Sequence, residues 1–262
     1  MPIFYDQLNR VVDIPDNPKR IISLVPSQTE LLFDLGLYKQ IAGITKFCIH
    51  PADKVNTAAK IGGTKQLNIQ KIHQLQPDLI IANKEENERG QVEELAKHYP
   101  VWISDIKDLP DALDMITKIG EITNKKTEAR QLADDILLRF NSLRPIGGHL
   151  DILYLIWRKP YMAAGTGTFI ENMLQLCGFT NTIKAERYPE LSEQDLIAAD
   201  PDVVLLSSEP YPFSQKHINE FKKLLPNTNI ILVDGEMFSW YGSRLLHAPA
   251  YFNGLIDKLK AM

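Results

Sequence analysis

DLPDALDMITKIGEITNKKTEARQLADDILLRFNSL, residues 108–143, is the longest segment of this 262-residue chain with the periodicity of an α-helix. Apolar residues recur along it every three or four positions, as at Leu113 and Ile116. This spacing predicts an apolar stripe along one face of a helix. The stripe lapses across residues 123–126, where Asn124 is a candidate helix cap, so we expect two helices in series.

The sequences on either side of this segment follow one plan. QPDLIIAN (76–83) precedes it and DPDVVLLS (200–207) follows it. Each is a Pro-Asp pair with an apolar run of strand length, placed between a helix-like segment and an acidic loop. Two copies of one helix–strand–loop plan predict two α/β lobes with a cleft between them. The alternative is that Pro-Asp before a buried strand is common loop chemistry in any α/β protein.

Composition places the chain among ordinary globular proteins, with 44% hydrophobic and 24% charged residues. A formal net charge of −4 gives no overall attraction to nucleic acid or to anionic membranes. No apolar run approaches the ~20 residues that a membrane span needs, and the first residues lack the pattern of a signal peptide. We therefore expect a cytoplasmic protein, or a periplasmic one if the sequence is a trimmed form.

Short apolar runs with proline or glycine nearby predict further strands, at residues 20–25, 41–45, 101–104, 151–157 and 229–234. Directly after the first of these, Ser27 and Glu30 have the spacing of a capping box, which predicts a helix beginning at Ser27. Because ligands of open parallel sheets bind at the carboxyl ends of the strands, the loops at these ends are the candidate site.

Aromatic and charged side chains concentrate in such loops in the second half of the chain. They are Trp157, Tyr161, Tyr188, Tyr211, Phe213, Phe238, Trp240 and Tyr241, with Arg158, Arg187, Glu209, Asp234, Glu236 and Arg244. Loops at the ends of parallel strands converge, so we expect these side chains to line one pocket for a flat, partly polar ligand. The alternative is that the rings pack beneath the loops as small cores.

Two pairs of residues suggest chemistry other than ligand binding. Cys48 and His50 combine a thiol and an imidazole, which are good ligands for transition metals, but no pattern completes a metal site around them. Glu209 and Glu236 would serve as acid and base in an enzyme. Cys48 and Cys177, the only cysteines, fall in different predicted lobes, so we expect two free thiols.

Several stretches of this sequence resemble the helical-backbone (class III) substrate-binding proteins of ABC transporters, a family that includes receptors for vitamin B12, siderophores and haem. The stretches are RIISLVPSQTEL (20–31), the Gly62-Gly63 turn, PDLIIA (77–82), residues 108–143, YLIWRKPYM (154–162) and TFIENMLQLCG (168–178). The resemblance covers nearly the whole chain from Arg20. It implies two Rossmann-like α/β lobes that are bridged by a single long central helix and hold the ligand between them.

The resemblance also implies roles for individual residues. Pro26 and Ser27 match a turn that the first lobe of a corrinoid-binding member places against the ring, and Phe47 matches an aromatic contact. The facing wall corresponds to Trp157, Tyr161, Tyr188 and residues 234–244.

A partner permease is implied by the same resemblance. Members that dock on a permease carry a glutamate on each lobe, and here Gln70 and Gln194 stand at those positions, with Glu193 adjacent to the second.

From these observations we predict a non-enzymatic protein that binds a chelated metal or macrocycle, with cobalamin or another corrinoid first and haem or a ferric siderophore second. We expect no intrinsic cofactor. The alternative is a cytosolic enzyme or cofactor-handling protein that uses Glu209 and Glu236.

The predicted domains are residues 1–107, a bridging segment 108–147 and residues 148–262. The predicted ligand-binding residues are Pro26, Ser27, Phe47, Cys48, His50, Trp157, Arg158, Tyr161, Tyr188, Glu209, Tyr211, Phe213, Asp234, Glu236, Trp240, Tyr241 and Arg244.

Overall fold

Two separate β-sheets carry the fold, as seen in a computed structural model that describes residues 3–262. The chain divides into two units. The first holds the residues up to Ile106, Pro110–Leu137 and Tyr241–Arg244, and the second holds Lys107–Leu109, Leu138–Trp240 and Leu245–Met262. The predicted fold class, two α/β lobes with parallel sheets, is confirmed.

The first unit contains a five-stranded sheet and a small hairpin. Its strands are β1 (Ile3–Tyr5), β2 (Val11–Asp13), β3 (Ile21–Ser23), β4 (Ile41–Ile44), β5 (Ala59–Lys60), β6 (Leu79–Asn83) and β7 (Val101–Ser104). The strands β1 and β2 pair in antiparallel fashion. The others form a parallel sheet in the order β5-β4-β3-β6-β7. Every residue of β3, β6 and β7 is buried, as expected for a parallel sheet covered on both faces.

The helices of this half of the chain are α1 (Pro26–Asp34), α2 (Ile69–Leu75), α3 (Arg89–Ala96), α4 (Leu109–Ile122) and α5 (Lys126–Asn141), with a 3₁₀ turn at Val55–Thr57. The predicted capping box at Ser27 and Glu30 is wrong. Helix α1 begins one residue earlier, at Pro26, so the cap position falls on Val25 and Ser27 lies inside the first turn. Proline favours this first helical position because its fixed φ suits the helix and its missing N–H has no partner there anyway.

The second unit has a mixed sheet with a parallel centre. Its strands are β8 (Asp151–Trp157), β9 (Tyr161–Ala163), β10 (Thr180–Asn181), β11 (Glu190–Leu191), β12 (Val203–Ser207) and β13 (Asn229–Val233). The order is β11-β9-β8-β12-β13, with β10 also on β8. The pairs of β8 with β10 and β12, and of β12 with β13, are parallel. The two edge pairs that include β9 are antiparallel.

The helices of the second unit are α6 (Phe169–Leu176), α7 (Glu193–Ala198), α8 (Gln215–Leu224), α9 (Gly235–Ser239) and α10 (Ala248–Lys260). A 3₁₀ turn covers Ser243–Leu246. No helix among residues 3–262 is long and apolar enough to cross a membrane. The prediction that both cysteines are free thiols is confirmed, since Cys48 and Cys177 are each buried without a disulfide.

The repeated Pro-Asp motif has the same structural role in both units. In the first unit the Asp78 carboxylate accepts the backbone N–H groups of Lys19 and Arg20 at 2.7 and 2.8 Å, next to the start of β3. In the second unit Asp202 accepts the N–H of Asp151 at 2.8 Å, at the start of β8. Each aspartate therefore fixes the start of the neighbouring parallel strand and satisfies backbone donors there.

The central segment consists of two helices, α4 and α5, as the lapse in its apolar stripe predicts. They are separated at residues 123–125, where Asn124 adopts a left-handed φ of +57°. Asn124 does not cap α5, which begins at Lys126; its side-chain amide instead donates to the carbonyl of Asp16. Helix α5 begins in the first unit and ends in the second, and the domain boundaries at 107 and 147 stay a prediction.

Close packing between α4 and α5 depends on Gly120. A Cβ added to this glycine would overlap the Cβ of Ala129 and would lie 2.9 Å from the carbonyl oxygen of Lys125. We expect Gly120→Ala to lower the free energy of unfolding by about 1–3 kcal/mol, because overpacking outweighs the gain in helix propensity.

Gly254 in α10 is the matched control for this substitution, because an added Cβ there would meet nothing within 4 Å. Gly254→Ala should raise the free energy of unfolding by up to about 1 kcal/mol. Urea unfolding followed by circular dichroism measures both variants. Equal effects of the two substitutions would contradict the close approach of α4 and α5.

Candidate ligand-binding site

Two buried asparagines shape the loops at the carboxyl ends of the strands in the first unit. Asn83 ends β6, and its Oδ1 accepts two backbone N–H groups of the acidic loop that follows, at 2.8 and 2.9 Å. Asn87 donates from Nδ2 to the carbonyls of Leu24 and Thr64, both at 3.1 Å. Sequence reasoning missed both residues, although an asparagine that ends a buried strand is a recognisable signal of such a network.

The predicted contact turn at Pro26 and Ser27 lies in the same region. Pro26 is half-buried as the first residue of α1, and Ser27 is buried. Gly242 packs against this turn so closely that an added Cβ would lie 2.5 Å from the Ser27 carbonyl oxygen. A side chain at position 242 would therefore displace the turn.

Tyr241 and Arg244, predicted to stand on the wall of the second lobe, belong to the first unit. The Tyr241 hydroxyl donates to Glu86, and the Arg244 guanidinium makes a two-pronged contact with Glu30 at 2.5 and 2.9 Å. Ser243 donates to Asp34. Burial raises the pKa of Glu30, and Arg244 opposes that shift. The local sequence could not show this placement, because the carboxylate partners lie far away in the chain.

The loop after β4 carries one exposed ring and one buried thiol. Phe47 is 52% exposed, with the Lys46 ammonium 5.0 Å from its ring centroid. Cys48 is buried, and its Sγ lies 3.1 and 3.2 Å from the hydroxyls of Thr29 and Thr45. Burial raises the pKa of the Cys48 thiol, which keeps it protonated near neutral pH.

His50 follows in the same loop and is half-buried. The proximity of His50 lowers the pKa of Glu30, although burial and Arg244 have larger effects on that pKa. Within the part of the chain that the structure describes, no three His, Cys, Asp or Glu side chains come together as a metal site. Contact of Cys48 or His50 with a ligand-borne metal stays a prediction.

Four of the predicted aromatic residues, Trp157, Tyr161, Tyr211 and Phe213, come together in one series of ring contacts that also includes Phe221. Trp157, at the end of β8, meets Tyr211 with ring centroids 5.7 Å apart, and Tyr211 meets Phe213 at 4.8 Å. Tyr161 meets Phe221 at 5.5 Å. Phe213 and Phe221 belong to the buried core, whereas Trp157 is 39% exposed. Both interpretations from the sequence therefore apply in part. Phe213 packs in a core, as the alternative expects, whereas Trp157 is left exposed, where a ligand can reach it.

Arg158, predicted at the rim of the site, is engaged by Glu220 of α8. Its guanidinium donates at 2.8 to 3.0 Å to both carboxylate oxygens, and the Tyr161 hydroxyl lies 3.4 Å from the same carboxylate. Although partial burial opposes the shift, Arg158 lowers the pKa of Glu220. Sequence reasoning missed Glu220, which is 62 residues from Arg158 and lies on a different element.

His217 packs against the rings of Tyr211 and Phe213. Sequence reasoning also missed this residue as part of the site. Its Nε2 lies 3.2 Å from the Tyr211 hydroxyl, and its Nδ1 accepts the backbone N–H of Ser214 at 2.9 Å. Burial lowers the pKa of His217, which favours the neutral imidazole. Tyr211, which packs against Trp157, is therefore held both by ring contacts and through its hydroxyl.

Tyr188 is half-buried in a separate loop of the second unit. The Arg187 guanidinium carbon lies 6.0 Å from its ring centroid, and Arg187 Nη1 donates to the carbonyl of Gly167 at 3.0 Å. The arginine thus lies over a ring and a main-chain carbonyl, an arrangement that fixes this loop.

The acidic residues at the ends of β12 and β13 have structural partners. Oε1 of Glu209 accepts the Ser239 hydroxyl at 2.6 Å and the Trp240 indole N–H at 2.8 Å. Asp234 caps α9 by accepting the N–H of Glu236 at 3.1 Å. Burial raises the pKa of Glu209, and the negative charges of Glu236 and Asp234 add to the shift. Trp240 and Phe238 are buried here, so Glu209 positions a packed indole.

Comparison with known proteins places this geometry in context. A family model described as periplasmic binding protein matches residues 21–225. The vitamin B12-binding protein of Pectobacterium carotovorum subsp. carotovorum (strain PC1) is 23% identical over 239 residues, which cover 88% of this chain and 86% of the relative.

Solved structures share the fold. The apo form of the periplasmic heme-binding protein RhuT from Roseiflexus sp. RS-1 matches with a TM-score of 0.79 at 22% identity, covering 91% of this chain and 97% of that one. The periplasmic vitamin B12 binding protein BtuF of Vibrio cholerae matches with a TM-score of 0.75 at 20% identity, covering 95% and 100%.

The raised pKa of Glu209 gives a pH-dependent prediction. Because its folded-state pKa lies above its ordinary value of 4.5, the folded protein holds this proton more tightly than the unfolded chain does. The stability contributed by Glu209 therefore rises as the pH falls and is lost as the pH rises. As the pH is lowered from ~7 to ~4.5, the urea midpoint of wild type should therefore rise relative to that of Glu209→Gln.

Asp195→Asn is the control, because hydrogen bonds from Ser192 lower the pKa of Asp195. Stability from a lowered pKa is present above its ordinary value of 3.8 and is lost only as the pH falls below it. The urea midpoint of wild type should therefore not rise relative to that of Asp195→Asn as the pH is lowered from ~7 to ~4.5. A pH-independent difference for Glu209→Gln would contradict the raised pKa.

Proposed function

We propose that this chain, which belongs to the periplasmic binding protein family, binds a flat, metal-bearing macrocycle or chelate, with a corrinoid as the first candidate and haem or a ferric siderophore as the second. The coarser function needs no proposal: the chain is a ligand-binding protein and not an enzyme. Proteins of this family carry small molecules and work with ABC transporters.

The observation that carries the proposal is a pair of exposed rings at the carboxyl ends of parallel strands. Phe47 follows β4 in the first unit, and Trp157 ends β8 in the second. They are 52% and 39% exposed. Large rings gain about 25 cal/mol for each Å² of apolar surface removed from water, so rings left in water at the ligand end of a sheet favour a ligand that covers them.

The restraint on these rings favours a flat ligand. The edge contact with Tyr211 holds the indole of Trp157, and the turn at Gly63 lies against Phe47, with 3.1 Å between an added Cβ and the ring. Rings with few torsions to freeze lower the entropic cost of binding a rigid partner. Relatives named for vitamin B12 and for heme support the same class of ligand.

A permease belongs to this proposal as the partner. Gln70 and Gln194, at the positions where permease-docking members carry glutamate, are both exposed. Each lies in the first turn of one of the two equivalent helices, α2 and α7. The repeated plan of the two units thus presents one amide from each, and we propose these two surfaces as the docking positions.

The compartment is also a proposal. The family description names the periplasm, and the cytoplasmic location stays a prediction. We retain the cytoplasmic prediction, and expect antibody detection in fractionated cells to find the protein with cytoplasmic markers. Release by osmotic shock would contradict it.

Calorimetry with cyanocobalamin, dicyanocobinamide and haemin tests the ligand class. At least one should bind with a dissociation constant below ~100 µM, equivalent to about 5.5 kcal/mol. Trp157→Ala should weaken that binding by about 2 kcal/mol, roughly thirtyfold, whereas Trp157→Phe should keep most of it because a ring remains.

Tyr38→Ala is the matched control. Tyr38 is 51% exposed but lies before β4, away from the carboxyl end of that strand, so its loss should leave the affinity unchanged. Absence of binding by all three compounds would make the macrocycle proposal wrong.

A further inference from the structure

Two neighbouring lysine–aromatic pairs lie at opposite ends of β4. At the amino end, the Lys39 ammonium is 5.9 Å from the ring centroid of Tyr38. At the carboxyl end, the Lys46 ammonium is 5.0 Å from that of Phe47. The two rings are almost equally exposed, at 51% and 52%. The pairs therefore share their chemistry and differ in position, and only the Lys46 pair stands at the ligand end of a parallel sheet.

The backbone holds the Lys46 pair in place. The N–H of Lys46 donates to the carbonyl of Gly62 at 2.8 Å, and the N–H of Gly63 donates to that of Gln66 at 2.8 Å. Gly62 has a φ of +101°, which L side chains rarely adopt. The ring of Phe47 lies against this turn, so the ring, and the backbone that carries the neighbouring ammonium, are set before any ligand arrives.

No carboxylate in the described part of the chain neutralises the charge of Lys46. Among residues 3–262, no carboxylate forms an ion pair with Lys46, whose ammonium lies instead near the face of the Phe47 ring. Two nearby lysines differ from Lys46 in that they donate to main-chain oxygens: Lys60 of β5 to the carbonyl of Cys48 at 3.2 Å, and Lys65 to that of Glu85 at 2.6 Å. The region around Phe47 thus offers a cation that can pair with a carboxylate of a ligand.

We propose that Lys46 is a specificity-determining residue, which selects ligands whose rim carries a carboxylate over ligands with the same ring and neutral amides. This inference rests on the proposed function. A ligand that covers Phe47 also removes water from the Lys46 ammonium beside it. A neutral rim leaves that ammonium poorly solvated, whereas a carboxylate accepts a charge-assisted hydrogen bond from it.

Two pairs of compounds separate the rim from the ring. Cobyrinic acid and cobinamide share the corrin but present carboxylates and amides respectively, and haemin and its dimethyl ester differ only in the esterified propionates. Wild type should bind the acid of a pair about tenfold more tightly, the effect of one charge-assisted contact. Raising the salt from about 50 mM to about 500 mM should reduce that preference by screening the charges.

Lys46→Met should abolish the tenfold preference, because it removes the charge-assisted contact of the acids and relieves the neutral partners of a poorly solvated ammonium. Lys46→Arg should restore it, because the charge returns. Lys39→Met removes the equivalent ammonium at the other end of β4 and should leave every affinity unchanged.

The outcomes separate this inference from the function on which it rests. Binding of both members of a pair with equal affinity to wild type overturns the role of Lys46 and leaves the macrocycle proposal standing. So does an equal loss of both members in Lys46→Met. Absence of binding by all four compounds overturns both.

Discussion

Burial of parallel strands on both faces is the constraint on which the rest of this structure depends. Every residue of β3, β6, β7 and β12 is buried. Parallel neighbours must be joined by crossovers, so the chain leaves each strand through a loop at the carboxyl edge and returns through a helix. The backbone groups in those loops need partners, and side chains such as Asn83 and Asn87 supply them. The loops that carry the candidate site are therefore fixed by the same requirement that forms the sheets.

Features with a local physical cause could be predicted from the sequence. The strands β6 and β12 were evident because a fully buried strand is a continuous apolar run, and the two helices of the central segment followed from its periodicity. The start of α1 was predicted one residue late, since the local preference of Pro26 for the first helical position competed with the capping-box spacing at Ser27.

Features with a distant cause could not be predicted in this way. The arginine at 158 looked like a rim charge for a ligand, but its carboxylate partner lies 62 residues away in α8. Arg244 has its partner, Glu30, 214 residues away, and this contact draws residues 241–244 into the first unit, although both flanking stretches belong to the second. A pattern read over ten residues contains neither partner. The site therefore has fewer uncompensated charges than its sequence suggests.

The same distinction decides which rings are available to a ligand. Trp157 ends one apolar strand of the second unit and Phe213 lies in the loop after another, and their local sequences do not show which of them is buried. Packing against Phe221 in the core buries Phe213, while Trp157, at the end of β8, is 39% exposed. Because the core uses most of the aromatic side chains, packing leaves few rings exposed, and the proposed binding depends on those few. In our proposal, selectivity comes from charged groups beside those anchors, and in the first unit the Lys46 ammonium next to Phe47 is such a group.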